Sequence, residues 1–242
     1  MNVAKQTLSF VGRLLACCVV LVLTGCAATG DVADPRDPLE GLNRAVYSLN
    51  EGIDETVMKP VATTYRGVVP EFARVGVRNF FSNVEDLYIG FNNLLQGKPG
   101  DTVSDWSRVL VNSTVGVFGL IDWASDMGLD KHNEDFGQTF GRWGVGDGAY
   151  VIWPLLGPAT VRDSFGRAID IYVDPIMRYT PVPTRNTLIV TNMVSLRANL
   201  LDASRVLEEA ALDKYVFERD AYLQRRRNLI YDGTPPRTEP AQ

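Results

Sequence analysis

An eleven-residue apolar run, Leu14 to Thr24, ends in Leu23-Thr24-Gly25-Cys26 and decides what the rest of the chain can become. Lys5 and Arg13 are the only charged side chains before Asp31. A helix needs about 20 apolar residues to cross the hydrocarbon core, so a short run with a basic front end reads as a secretory h-region. Small residues before a cysteine mark a lipobox. Residues 1–25 are therefore expected to leave as a signal peptide, and Cys26 to carry lipid. Ala27, rather than Asp, follows the cysteine; as a sorting rule this favours the outer membrane.

The same cleavage settles the cysteine chemistry. Cys17 and Cys18 lie in the h-region, and the mature chain keeps only Cys26. A disulfide framework is excluded even in an oxidising compartment, so stability must come from packing. Without Lys5 and Arg13, 22 basic side chains face 29 acidic ones, a formal charge of −7. That balance argues against nucleic acid as a partner and against a polybasic grip on anionic lipid.

Residues 26–36 carry proline, glycine and charge and read as a lipidated tether. Residues 233–242 hold three prolines and read as a disordered tail. Between them, residues 37–232 form a single domain without internal repeats. Its pattern is helical. Leu42, Val46, Leu49, Ile53 and Val57 recur at three- and four-residue steps, with Pro60 as the expected stop. Val84, Leu87, Tyr88, Phe91, Leu94 and Leu95 repeat the pattern up to Gly97 and Pro99. Asp101 or Thr102 is the expected cap of a helix bearing Val103, Trp106, Val109 and Leu110. Val161, Phe165, Ala168, Ile169 and Tyr172 mark another face, ended by Pro175. From Thr184 to Gly233 two or three further segments follow. Only Tyr150 to Trp153 reads as extended, limited by Pro154. The fold class is all-α.

Two segments are unusual for a water-soluble helical protein. Thr114 to Ile121 is apolar with glycines at 116 and 119. Phe136 to Pro158 holds six glycines, two prolines, two tryptophans and two phenylalanines. Glycine permits backbone angles closed to other residues and close backbone approach. Gly141, Gly144, Gly146 and Gly148, among Phe140, Trp143, Tyr150 and Trp153, mark a candidate moving segment, with the aromatics suited to headgroup level. No uncharged stretch of the mature chain reaches spanning length once Pro154 and Pro158 are counted. Two arrangements fit, helices lying in one leaflet or embedded as a bundle, and neither crosses as a standard helix.

Catalytic signatures are missing. The one histidine, His132, stands among charges and reads as solvated; Glu134 and Asp135 read as a solvated loop or helix cap. No Gly-x-Ser-x-Gly occurs, and one histidine without a thiolate makes a zinc site improbable. Gly144-Val145-Gly146-Asp147-Gly148 lacks the Lys-Ser/Thr of a P-loop. Arg225-Arg226-Arg227 reads as a solvated helix end. Neither metal nor cofactor is expected.

Taken together, the motifs resemble one family. Asp37-Pro38-Leu39-Glu40-Gly41-Leu42-Asn43-Arg44 is similar to the Asp-Pro-Leu-Glu-Gly-Phe-Asn-Arg opening of the VacJ/MlaA lipoproteins, with Leu42 in place of Phe. Lys59-Pro60-Val61-Ala62, Leu95-Gln96-Gly97-Lys98-Pro99, Asn112 to Gly116, Glu134 to Thr139 and Gly144 to Tyr150 continue the match. The resemblance implies a ring of amphipathic helices lying in one membrane leaflet, with a glycine-rich loop beside a central channel. It implies removal of mislocalised phospholipid from the outer leaflet of the outer membrane. The implied partners are phospholipid, a trimeric outer-membrane porin, and a soluble periplasmic carrier leading to an inner-membrane ABC transporter. Candidate channel or gating residues are Gly141, Gly144, Gly146, Gly148, Trp143 and Tyr150, with Cys26 as the lipidation site. The competing readings are a structural lipoprotein scaffolding an envelope complex and, behind it, a lipid hydrolase.

Overall fold

The first helical run continues through the proline expected to stop it. In the computed structural model, which describes residues 34–237, α1 (Glu40–Ile53) passes into a π-helical turn, Asp54–Met58, and on into α2 (Lys59–Val68). A helical proline clashes with the carbonyl four residues back and removes one donor. The wider π turn immediately before Pro60 relieves that clash, and Pro60 sits in the first turn of α2. Cys26 and residues 1–33 lie outside the described residues, as do residues 238–242 of the tail.

The rest is built from short connections. Pro70 precedes α3 (Glu71–Leu95), and α4 (Pro99–Thr114) packs back along it. Helix α4 begins three residues before Thr102: Pro99 takes its first position, and Lys98 stands at the N-cap without a side-chain cap bond. Thr102 Oγ1 instead donates to Lys98 O at 2.9 Å. The short α5 (Trp123–Asp126) and α6 (Phe136–Arg142) are capped by Asp122 and Asp135, whose carboxylates accept the backbone N–H groups of Ser125 and Gln138. The expected extended segment is strand β1 (Tyr150–Trp153), paired antiparallel with β2 (Gly157–Thr160) in register Tyr150 with Thr160. Helices α7 (Val161–Val173), α8 (Val182–Ala210) and α9 (Lys214–Ile230) complete the chain. Gly233, at φ 82°, closes α9 by donating its N–H to Asn228 O. Among the described residues the architecture is all-α apart from this hairpin.

Periodicity located the helices, but their polarity runs inside out. On α3, Asn83, Asp86, Asn92 and Asn93 are buried along with Phe81 and Ile89, while Leu87, Phe91 and Leu94 are exposed. On α4, Thr102, Asp105, Arg108 and Asn112 are buried; Val103, Trp106 and Leu110 face outward. On α7, Arg162 and Asp163 are buried, and Phe165 is 68% exposed. The apolar turn after α4 presents Phe118 at 78% exposure. A water-soluble domain does not distribute residues this way; large exposed apolar surfaces mark a membrane or a partner.

Buried polar groups must be paired, and here they form networks. Arg108 bonds Asp86, Asp122, Ser125 Oγ and the carbonyl of Leu129. His132 is not simply solvated: its Nδ1 lies 2.9 Å from the carboxylate of fully buried Asp105. Arg226 is likewise drawn inward, because Asp135 and Asp163 both meet its guanidinium. Glu134 is buried against Lys98 and Gln96. The close crossing of α6 and α7 depends on glycine: a Cβ on Gly166 would stand 2.2 Å from Gly137 N. At the end of the expected tether, Asp34 and Arg36 are held to the domain: Asp34 pairs with Arg219 and Arg36 O accepts from Tyr150 N. Apolar clusters are small. One joins Ala62 of α2 to Ala198 and Leu201 of α8; the other gathers Tyr150, Ile152 and Tyr215.

Candidate functional site

The π turn that carries the chain past Pro60 also lines an open cleft. A cavity of about 490 Å³ lies between α1, the π turn, the hairpin and α8. Ile53, Met58, Leu155, Leu156, Met193 and Leu196 give it an apolar wall. At one side the wall turns polar, and a second cavity of about 170 Å³ continues from it. The two share Tyr47, Glu51, Asp54, Arg197, Leu200 and Glu218. The combined passage therefore has an oily section and a charged neck.

Charges in the neck are arranged in pairs. Arg197 donates from Nε and Nη2 to the two oxygens of Asp54, each at 2.6 Å, and from Nη1 to Ser204 Oγ at 3.0 Å. The Asp54 hydrogen bond is the main cause of the raised pKa of Arg197. Lys59 meets Glu208 at 2.9 Å, and Lys214 stands 3.6 Å from Glu51. Glu218 has no hydrogen bond or ion pair among the described residues; burial, then the charge of Glu51, raises its pKa.

The hairpin is held over the cavity by two asparagines of α1. Asn50 donates to Trp153 O and accepts from Leu155 N at 2.8 Å. Asn43, fully enclosed, donates to Tyr150 O and Asp37 and accepts from Ile152 N at 2.9 Å. Seven residues are about two helical turns, so Asn43 and Asn50 lie on one face of α1 and meet the strand backbone at two points, as a third strand would.

The glycine-rich candidates divide among three environments. Gly141, Gly144 and Gly146 line a separate cleft of about 240 Å³ with Arg162, Arg227 and Tyr231. Gly144 and Gly148 have φ of 91° and 68°, angles that favour glycine. Trp143 is exposed and donates from Nε1 to Leu95 O at 3.1 Å. Tyr150, placed at headgroup level by the sequence reading, is instead fully buried against Tyr215 and Tyr222. None of the six is among the residues lining the amphipathic passage; the hairpin that follows them supplies Ile152, Leu155, Leu156 and Gly157. Asp54, Arg197 and Glu218 were missed because each is an ordinary charge on a long helix. No group of three or more metal-ligating side chains gathers among the described residues.

Comparison with known proteins gives the same picture over most of the chain. Residues 35–229 match the family model of the MlaA lipoprotein. The intermembrane phospholipid transport system lipoprotein MlaA of Escherichia coli is 35% identical over 217 residues, 88% of this chain and 85% of that protein. Its counterpart of the same name in Haemophilus influenzae is 29% identical over 91% of this chain and 90% of its own. A solved structure, described as the structural basis for maintenance of bacterial outer membrane lipid asymmetry, superposes with a TM-score of 0.71 at 34% identity. That match covers 80% of this chain and 98% of the solved one. With its helices, their connections and its sequence all in agreement, the chain belongs to the MlaA lipoprotein family.

Proposed function

We propose that this protein removes phospholipid from the outer leaflet of the outer membrane, maintaining lipid asymmetry, and hands it to a soluble periplasmic carrier. The observation that carries the reading is the pairing of an apolar exterior with an amphipathic passage. The exterior suits a body set in one leaflet, since no described helix is long and apolar enough to cross a membrane. The passage offers an apolar wall for acyl chains and a charged neck for the headgroup. At about 490 Å³ the larger cavity suits a headgroup and the first methylenes of its chains, in the size range of ligand sites. Moving a lipid makes and breaks no covalent bond, so paired charges and apolar contact suffice. The outer rim, with Phe118, Leu110 and Trp106, is the surface offered to lipid and to a porin wall. Lipid on Cys26 anchors the chain on the periplasmic side.

In this reading the Gly141–Gly148 segment is the flexible connection that lets the hairpin shift over the passage. A disulfide between this segment and α9 should stop lipid removal, and reductant should restore it. The test of the function itself is the phospholipid content of the outer leaflet after deletion of the gene. Accumulation, reversed by the wild-type chain, is expected; an unchanged outer leaflet would contradict the proposal. A scaffold alone has no need of the amphipathic passage.

A further inference from the structure

The charged neck holds more carboxylates than cations to match them. Asp54 is answered by Arg197, Glu208 by Lys59 and Glu51 by Lys214. Glu218 is left over, half-buried between the two cavities with no partner among the described residues. It stands in the same lining as Arg197, the one arginine there. Arg197 can meet a phosphate, because a guanidinium's planar fork matches phosphate oxygens and its Nη1 is held only by the neutral Ser204 hydroxyl.

We propose that the neck selects phospholipids whose headgroup carries an ammonium beside its phosphate, the phosphate meeting Arg197 and the ammonium meeting Glu218. The inference rests on the transport reading above and names the lipid class that reading leaves open. A zwitterionic headgroup brings one charge of each sign to a site with one group of each sign to receive it. An anionic headgroup brings only a negative charge, to a lining where Glu51, Asp54, Glu208 and Glu218 already outnumber Arg197 and Lys214. Like charges at close quarters disfavour the wrong ligand even where the matching pair adds little net affinity. The raised pKa of Glu218 points the same way: burial and Glu51 make its bare carboxylate costly, and a cation relieves that cost. For partly exposed charges the discrimination is modest, roughly fivefold.

The test uses the full lipidated chain in vesicles of equal phosphatidylethanolamine and phosphatidylglycerol with matched acyl chains. A photo-crosslinking residue replaces Leu196, and separately Met193, both of which line the apolar wall. Phospholipid adducts are then quantified by headgroup. Phosphatidylethanolamine adducts are expected to exceed phosphatidylglycerol adducts roughly fivefold. Glu218→Gln should bring the ratio to about one, chiefly through loss of phosphatidylethanolamine adducts, Glu218→Asp should preserve the preference, and Glu218→Lys should reverse it. Equal adducts in the parent and in Glu218→Gln would overturn headgroup selection and leave transport standing. No phospholipid adduct at either position would overturn both.

Discussion

Arg197 grips both carboxylate oxygens of Asp54, so a side chain of α8 is fastened to the π turn between α1 and α2. Both groups are mostly shielded, at 13% and 27% side-chain exposure. Breaking such a pair from one side leaves the other charge without its partner, which costs more than removing both. Asp54→Asn and Arg197→Gln should each lower stability by about 1–3 kcal/mol, and the double variant by less than their sum. Chemical unfolding of all four proteins in detergent micelles checks the coupling; strictly additive losses would mean the pair does not brace the turn.

The inverted polarity predicts an unusual surface response. Replacing exposed Leu110, Phe118 and Phe165 together by serine removes apolar area that contacts no core. The fold should hold within about 0.5 kcal/mol per site, while the detergent needed to keep the chain monodisperse falls. By contrast, Arg108→Met takes the buried guanidinium from Asp86 and Asp122, leaving Asp86 to Lys131 and Asp122 to Asn112 and Ser125, and should cost about 2–4 kcal/mol. Circular dichroism melts and size-exclusion profiles measure both. A soluble-protein pattern, with the surface triple variant unfolding and Arg108→Met tolerated, would refute the inside-out assignment.

Asn43 predicts the behaviour of the hairpin. Asn43→Ala leaves Tyr150 O and Ile152 N without their buried partner. Each unsatisfied group costs about 1–3 kcal/mol, so the hairpin should open more often before the rest of the domain. Amide exchange at Ile152 and at Ala159, the β2 partner of Val151, should accelerate while exchange in the α3–α4 pair stays unchanged.

Asp170 predicts a pH dependence. Burial, and then the charge of Asp135, raise its pKa from 3.8 to about 7, against a hydrogen bond from Phe136 N. Between those values the folded chain holds a proton that the unfolded chain releases. Stability from this group is complete below about 3.8 and is lost as pH rises through about 7. Asp170→Asn keeps an acceptor for Phe136 N and should flatten that slope, gaining at most about 4 kcal/mol over the parent above pH 8. Melting temperatures from pH 4 to 8 in one detergent decide it; parallel curves would reject the assignment.

The sequence made the helices legible and concealed which way they face. The stripe of Leu87, Phe91 and Leu94 has the same spacing whether it meets a core or a lipid tail, and only the burial of Asp86, Asn92 and Asn93 separates the two. Lone charges misled for a related reason. His132 and Arg226 sit in charged runs that suit solvent, yet Asp105 and the Asp135–Asp163 pair, distant in sequence, bring them inward. The Pro60 stop failed because a π turn has no signature in periodicity. Of the site, the glycine segment was visible through its composition. The passage was not, since Asp54, Arg197 and Glu218 meet only when three elements fold together.

The most direct measurement is outer-leaflet phospholipid in cells whose only copy of the protein has its passage plugged. Leu196→Trp and Met193→Trp fill the apolar wall without touching the Asp54–Arg197 pair or the glycine segment. The plugged chains should accumulate, carry lipid at Cys26 and reach the outer membrane as the parent does. They should nonetheless leave outer-leaflet phospholipid as high as in cells lacking the gene. Clearance at the parent's rate by a properly folded, plugged chain would contradict the claim that lipid passes through this cavity.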